Sequence, residues 1–172
     1  MVNPAREYIL GIDCSTGGTK AFLWDLGGTI IAGGISPYSM HDRHPNWSQQ
    51  NPTWYDALVQ AIHRLFTQTT IRPHQVSAIG ITHEKQTLVP VDQEYHAVGP
   101  AVLWNDACYQ TEMEILETLI GKETLYQATG IPPSPWFLAK LLWLQRNRPD
   151  LFAKARMFLS VQDYLVYHLT GR

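Results

Sequence analysis

Two connections too short for anything but a reversal of the chain constrain the start of this fold. Residues 8–13, 21–25 and 29–36 are apolar runs of strand length, separated only by the small-residue stretch 15–19 and by Leu26-Gly27-Gly28-Thr29. Strands joined this tightly through glycine pair antiparallel with their sequence neighbours. A three-stranded meander is therefore expected over 8–36. Its first connection lies in the run Gly11-Ile12-Asp13-Cys14-Ser15-Thr16-Gly17-Gly18-Thr19-Lys20. Glycines let backbone N–H groups approach and surround an anion. Thr16 and Thr19 add hydroxyl donors, and the Asp13 carboxylate is an oxygen ligand of the kind a hard divalent cation prefers. The run is not a Walker loop, which requires Gly-Lys-Ser/Thr opening a helix. It is not a dinucleotide fingerprint either, because a strand follows it and not a helix. Taken alone, these residues fit a plain hairpin turn equally well.

Downstream, the polar stretch 37–51 reads as a loop. Asn51 is expected to cap a helix with Pro52 at its first position, and Trp54, Leu58, Ala61, Ile62 and Leu65 follow at helical spacing. Residues 76–81 lack polar alternation and read as a strand buried on both faces. Shorter strands are expected at 87–91 and 101–104, around a turn at 92–95. Helices are expected at 107–119, 122–129 and 138–146, with Gly130 stopping the second and Pro149 following the third. Residues 157–160 read as a last core strand and 161–170 as a last helix. The order β-β-β-α-β, then an α-rich insertion, then β-α, predicts one α/β domain over 1–172 with a mixed sheet. In that sheet, 76–81 and 157–160 run parallel to the first strand.

Charge narrows the function classes. Thirteen Lys and Arg against fifteen Asp and Glu leave a net charge of −2. That provides no basic field for nucleic acid and no polybasic membrane patch, so any phosphate must be held by backbone groups, a metal or a few local cations. Cys14 and Cys108 are far apart and read as free thiols of a reducing compartment. The first eight residues lack a signal-peptide core and no stretch approaches a membrane span, so the cytoplasm is the expected location. His83-Glu84 lacks the second histidine of a zincin, Thr87 standing in its place. His41 and His44, with only Asp42 for acidic company, read as a solvated loop.

An Asp-x-Gly/Ser-Thr turn between the first two strands of β-β-β-α-β resembles the phosphate loop of the actin, Hsp70 and sugar-kinase superfamily. Within that superfamily, several segments resemble the FGGY carbohydrate kinases. Pro45-Asn46-Trp47-Ser48-Gln49-Gln50-Asn51-Pro52 is similar to their Pro-x-Trp-x-Glu-Gln-x-Pro stretch. Gly80-Ile81-Thr82-His83-Glu84-Lys85-Gln86-Thr87 is similar to their sugar-site segment, and Pro100-Ala101-Val102-Leu103-Trp104-Asn105-Asp106 to their Pro-Ala-Ile-Leu-Trp-Asn-Asp. Thr129-Gly130 and Lys140-Leu141-Leu142-Trp143-Leu144 resemble the insertion helices, and Asp163-Tyr164-Leu165 with Leu169-Thr170-Gly171 resembles the end of the pattern. The order and spacing of these segments over 8–172 are more specific than any one of them, and the pattern is xylulokinase-like.

The resemblance implies a ribonuclease-H-like α/β fold: a mixed five-stranded sheet with flanking helices and an α-rich insertion. It implies ATP-dependent phosphorylation of a sugar or polyol, a ketose such as xylulose being the leading candidate, by two domains that close over the substrates. On this resemblance Asp13 is catalytic and positions Mg2+, while Ser15, Thr16, Gly17, Gly18 and Thr19 face the β- and γ-phosphates. Lys85 and Gln86 reach the sugar hydroxyls, Trp104 stacks on the sugar's carbon face and Asp106 binds a hydroxyl. Trp136, beside Pro133-Ser134-Pro135, borders the same cleft. Two departures matter. Ser15 stands where the family carries glycine, which adds a side chain near the phosphates. Lys85-Gln86 stands where glycerol kinases carry Arg-Glu and several xylulokinases carry Met-His; without a carboxylate, Gln86 is a weaker acceptor for polyol hydroxyls, which disfavours glycerol. The family's general base and adenine pocket lie beyond residue 172. The expectation is therefore a chain lacking its C-terminal domain, inactive alone, with a sticky face open to weak association as a homodimer. A non-catalytic sugar- or nucleotide-binding module is the alternative. A nuclease of related fold would need Asp13, Glu84 and Asp106 to meet around metals, and the Trp-Asn-Asp setting argues against it.

Overall fold

The computed structural model describes residues 7–38, 41–44, 47–50, 53–131 and 136–172. These fall into two compact units, one drawn from 1–39, 53–84 and 161–172, the other from 40–52 and 85–160. In chain order the chain forms strands β1 (Tyr8–Ser15), β2 (Gly18–Asp25), β3 (Ile30–Pro37), β4 (His41–His44) and β5 (Trp47–Gln50). Helix α1 (Trp54–Phe66) and strand β6 (Val76–His83) follow.

The first unit is built on the meander that the short turns dictate. β1 and β2 pair antiparallel with Asp13 opposite Lys20, Cys14 opposite Thr19 and Ser15 opposite Gly18, which leaves Thr16 and Gly17 as the turn. β3 adds antiparallel to β2, and β6 returns parallel to β1, giving the order β3-β2-β1-β6. Alternation decides the core face: Leu10, Ile12 and Cys14 of β1 are buried with Ala21 and Leu23 of β2. α1 presents Trp54, Ala57, Leu58, Ala61 and Leu65, all buried, and packs on β2 and β3. The approach is close at Gly34, where a Cβ would sit 2.0 Å from the Ala61 carbonyl oxygen and 2.7 Å from the Leu65 nitrogen. Only a residue without a side chain lets the helix backbone lie there. The final helix, α6 (Val161–Thr170), packs on α1 and β6, and the Trp54 and Tyr164 rings meet edge to face at 6.4 Å.

Several expectations are corrected. β6 is not buried on both faces: residues 77–80 are exposed, Ile79 by 52%. Among the described residues it is an edge strand paired only with β1, and an apolar run becomes buried only where neighbours cover it. Helix α1 starts after Thr53, which makes no side-chain cap bond; the expected cap, Asn51-Pro52, lies outside the described residues, as do Pro45, Asn46, residues 132–135 and the side chains of His41, His44 and Trp136. The stretch 37–51 is not all loop, since β4 and β5 pair antiparallel within it. Backbone pairing asks for no apolar pattern, so polar strands leave little signal.

The second unit holds β7 (Val89–Val91), β8 (Ala101–Val102), α2 (Gln110–Ile120), α3 (Lys122–Thr129), α4 (Trp136–Asn147), α5 (Pro149–Lys154) and β9 (Met157–Leu159). β5 extends onto β8, while β9 pairs antiparallel with β7. The strand expected at 157–160 as a fifth, parallel member of the main sheet is thus not paired in it; that sheet has four described strands. A three-residue apolar strand carries too little pattern to specify its partner. The mixed-sheet α/β architecture itself stands. Leu88, Val102, Tyr109, Leu116, Ala139, Trp143, Leu144 and Leu151 form this unit's core. Gly130, in the left-handed region at φ 69°, ends α3 as expected. Pro149 does more than stop a helix: it opens α5 at the position where its missing N–H costs nothing.

Candidate functional site

The hairpin tip between β1 and β2 is tied down by its neighbours. Ser15 Oγ donates to the Gly18 carbonyl at 3.1 Å. The Tyr38 hydroxyl donates to the Ser15 carbonyl, and the Tyr38 amide donates to the Gly17 carbonyl at 3.3 Å. Gly18 sits where a Cβ would come within 3.0 Å of the Ser36 carbonyl oxygen, whereas the same atom on Gly17 would meet nothing within 4 Å. The turn therefore has one side pressed against β3 and an open side at Gly17 from which an anion can approach backbone. The Glu84 amide donates to the Cys14 carbonyl at 3.0 Å, extending the parallel pairing of β6 with β1 to the start of the turn.

The side chains of this run divide by strand parity. Cys14 and Thr19 share the buried face, with Cys14 Sγ and Thr19 Oγ1 3.4 Å apart. The Thr19 hydroxyl, expected at the phosphates, is thus enclosed beside the Cys14 thiol. Burial, above all, pushes the Cys14 thiol up to about 11, with the Asp13 and Glu84 charges adding to it, and burial likewise raises the Tyr38 phenol. Asp13 is on the opposite face. Its carboxylate is 41% exposed and lies 4.0 Å from Lys20 Nζ. Among the described residues no group of three or more His, Cys, Asp or Glu side chains gathers to hold a metal ion. Magnesium needs no such cage: it keeps waters and takes one or two carboxylates together with phosphate oxygens. A half-exposed carboxylate at the mouth of a glycine turn fits that requirement.

The second unit carries Lys85, Gln86, Trp104 and Asp106. Lys85 is exposed, Gln86 is half-buried and Trp104 is 50% exposed, so an indole face is open to contact. Gln86 adopts φ 64°, a left-handed conformation that non-glycine residues rarely take. Asp106 differs from the other three. It is 2% exposed, and its Oδ1 accepts the Cys108 amide at 2.7 Å, closing the turn that leads into α2. Burial first, then a hydrogen bond to Asp106, raises the Cys108 thiol, and burial pushes the Tyr109 phenol to about 12.

Three residues, two in the first unit and one in the second, escaped the sequence reading. Lys20 was legible, because a turn at Thr16-Gly17 puts it opposite Asp13. Lys140, fully buried on α4, was signalled by a cation inside the apolar run Leu138-Ala139-Lys140-Leu141-Leu142-Trp143. Tyr38 left no signal, since its bonds depend on β3 lying beside the turn.

Comparison with known proteins agrees with this architecture. The chain is 34% identical over 171 residues to a xylulose kinase of Haemophilus influenzae, covering 95% of this chain and 35% of that protein. It is 31% identical to a glycerol kinase of Thermococcus gammatolerans, covering 96% of this chain and 35% of that protein. Among solved structures, the xylulose kinase of Rhodospirillum rubrum superposes with a TM-score of 0.89 at 25% identity, over 95% of this chain and 34% of that one. The chain thus spans about a third of the length of the relatives it matches. Residues 8–172 match the N-terminal domain of the FGGY family of carbohydrate kinases, and with the β3-β2-β1-β6 sheet and its glycine turn in place, the chain belongs to that family.

Proposed function

We propose that the whole polypeptide transfers the γ-phosphoryl group of ATP to a hydroxyl of a sugar or polyol. Residues 8–172 supply its phosphate loop and part of its sugar site. The observation that carries this reading is the family match over 8–172, joined to a β-hairpin whose tip is open at Gly17 and flanked by the half-exposed Asp13 carboxylate. Phosphoryl transfer asks mostly for positioning and neutralisation of charge. Backbone N–H groups around Thr16 and Gly17 face the β- and γ-phosphates. Asp13 would hold Mg2+, and the ion when bound would neutralise charge on the phosphate oxygens. Lys20, across from Asp13, adds a local cation.

Lys85 and Gln86 bind sugar hydroxyls and Trp104 lies against the sugar's carbon face, while the enclosed Asp106 carboxylate, with Oδ1 on the Cys108 amide, holds the turn that follows Trp104. The acceptor oxygen attacks the γ-phosphorus, the bond to ADP breaks, and the hydroxyl proton leaves to a base that the rest of the polypeptide supplies. A ketose such as xylulose is the first candidate: xylulose and glycerol kinases both number among the relatives, and Gln86 lacks the carboxylate that favours glycerol. The two free thiols suit a reducing compartment, and the cytoplasm is the proposed location.

The test is ADP release by the full gene product with MgATP and a panel of D-xylulose, other pentuloses, hexuloses and glycerol, beside the same assay on residues 1–172 alone. Sugar-dependent turnover by the full product and none by the 172 residues is expected. No sugar dependence in the full product removes the kinase reading, and normal turnover by the 172 residues removes the need for a second domain.

A further inference from the structure

Lys140 has no exposed surface. Taking an ammonium out of water is costly unless it is met by partners, so its surroundings show what it is for. Its Nζ donates to the carbonyl of Gln86, a residue 54 positions away. It also stands over the Tyr109 ring, 5.2 Å from the centroid, a favourable place for a desolvated cation. The Lys140 and Asp106 charges both act on the Cys108 thiol, in opposite senses. One buried cation thus meets the 85–86 segment directly and the turn after Trp104 through Tyr109 and its neighbours.

The residue it grips is held in an unfavourable conformation. Among the described residues, only Gln86 and Tyr95 are non-glycine residues at positive φ, 64° and 63°. For Tyr95 the cause is local: Asp92 Oδ1 accepts the amides of Glu94 at 3.0 Å and His96 at 2.8 Å, and the Tyr95 amide donates to the Asp92 carbonyl at 3.2 Å. For Gln86 the bond comes from a distant helix. A left-handed residue with a side chain is strained and persists only where surrounding structure over-determines it.

We propose that Lys140 is a positioning residue for sugar recognition: its bond to the Gln86 carbonyl holds Gln86 in the left-handed conformation that aims the Lys85 and Gln86 side chains. Lys140 touches no substrate itself. Its effect on the sugar rests on the kinase reading above; its hold on Gln86 does not.

The experiment uses the full gene product with Lys140→Met, which removes the charge and keeps much of the length, with Gln86→Gly, where glycine takes φ 64° without cost, and with both together. Lys140→Met is expected to raise the KM for sugar about tenfold or more, as small misplacements of binding groups do, with the KM for MgATP unchanged. A purely structural role would instead lower kcat through a smaller folded fraction and leave both KM values alone, and that result overturns the proposal. Thermal melting gives the second reading. Glycine keeps the carbonyl that Lys140 bonds, and only wild type recovers the left-handed cost when that bond is lost. Lys140→Met should therefore cost clearly more Tm in the Gln86→Gly background than in the wild type, whereas additive losses show that Lys140 does not hold the conformation of Gln86. If Lys140→Met does not fold, Lys140→Arg takes its place in the same cycle and is judged in the same way. A wild type without sugar-dependent turnover sinks the kinase reading, while the melting cycle still decides whether Lys140 holds Gln86.

Discussion

The hydroxyl of Tyr38 donates to the backbone carbonyl of Ser15, so a residue just past the end of β3 clamps the base of the β1–β2 turn. The Tyr38 amide holds the same turn through the Gly17 carbonyl. Two bonds from one residue therefore keep the open side of Gly17 facing outward. Tyr38→Phe removes only the hydroxyl. It is expected to cost about 1 kcal/mol of stability and to raise the KM for MgATP in the full gene product without moving that for sugar. Unchanged melting and unchanged KM for MgATP would take the clamp out of the loop's design.

Asp13→Ala in the full gene product is expected to cut phosphoryl transfer about a hundredfold or more, as for other groups that stabilise charge at a transferring phosphate. Sugar affinity, read by calorimetry, should stay near wild type. Near-normal turnover with MgATP would show that the half-exposed carboxylate at the end of β1 plays no part in the chemistry.

Gly34→Ala tests the packing of α1. The added carbon would fall 2.0 Å from the Ala61 carbonyl oxygen, and that atom belongs to helix backbone and cannot swing away. Overpacking of this kind costs about 1–3 kcal/mol or more, so a large drop in Tm, or failure to fold, is the expected outcome. A variant melting within a degree of wild type would mean that α1 does not sit on β3 as described.

Alkaline pH is expected to destabilise the chain. Burial raises the Cys14 thiol from 9.0 to about 11 and the Tyr109 phenol to about 12; Cys108 and Tyr38 move the same way. The folded state therefore favours the neutral forms. Their stabilisation is whole below the unfolded values and is lost as pH climbs through the folded ones. For Cys14 the window runs from pH 9 to 11 and amounts to about 2–3 kcal/mol. Melting temperature measured against pH should be level up to about 9 and fall beyond it, and Cys14→Ala should flatten part of that fall. A Tm that holds through pH 11 contradicts the enclosed thiol.

The sequence by itself determined what is local. Tight glycine-bearing turns between apolar runs leave no pairing but the antiparallel one, so the β1-β2-β3 meander and the place of Asp13 at its first turn could be read directly. Apolar residues at helical spacing located α1, and Gly130 located the end of α3, because a left-handed cap is a property of a single residue. The order and spacing of the segments at 80–87, 100–106 and 140–144 carried the family. What depends on distant partners was decided only in three dimensions. Whether Met157–Leu159 joins β1 or β7, whether Ile79 is covered, and whether β5 finds β8 are all contests between surfaces far apart in sequence, and short or polar strands carry too little pattern to announce the winner. The same holds at the candidate site. Strand parity puts the Thr19 hydroxyl beside Cys14 and away from the open face. The conformation of Gln86 follows from an ammonium 54 residues away, because a backbone carbonyl has no residue type by which a sequence could show what it binds.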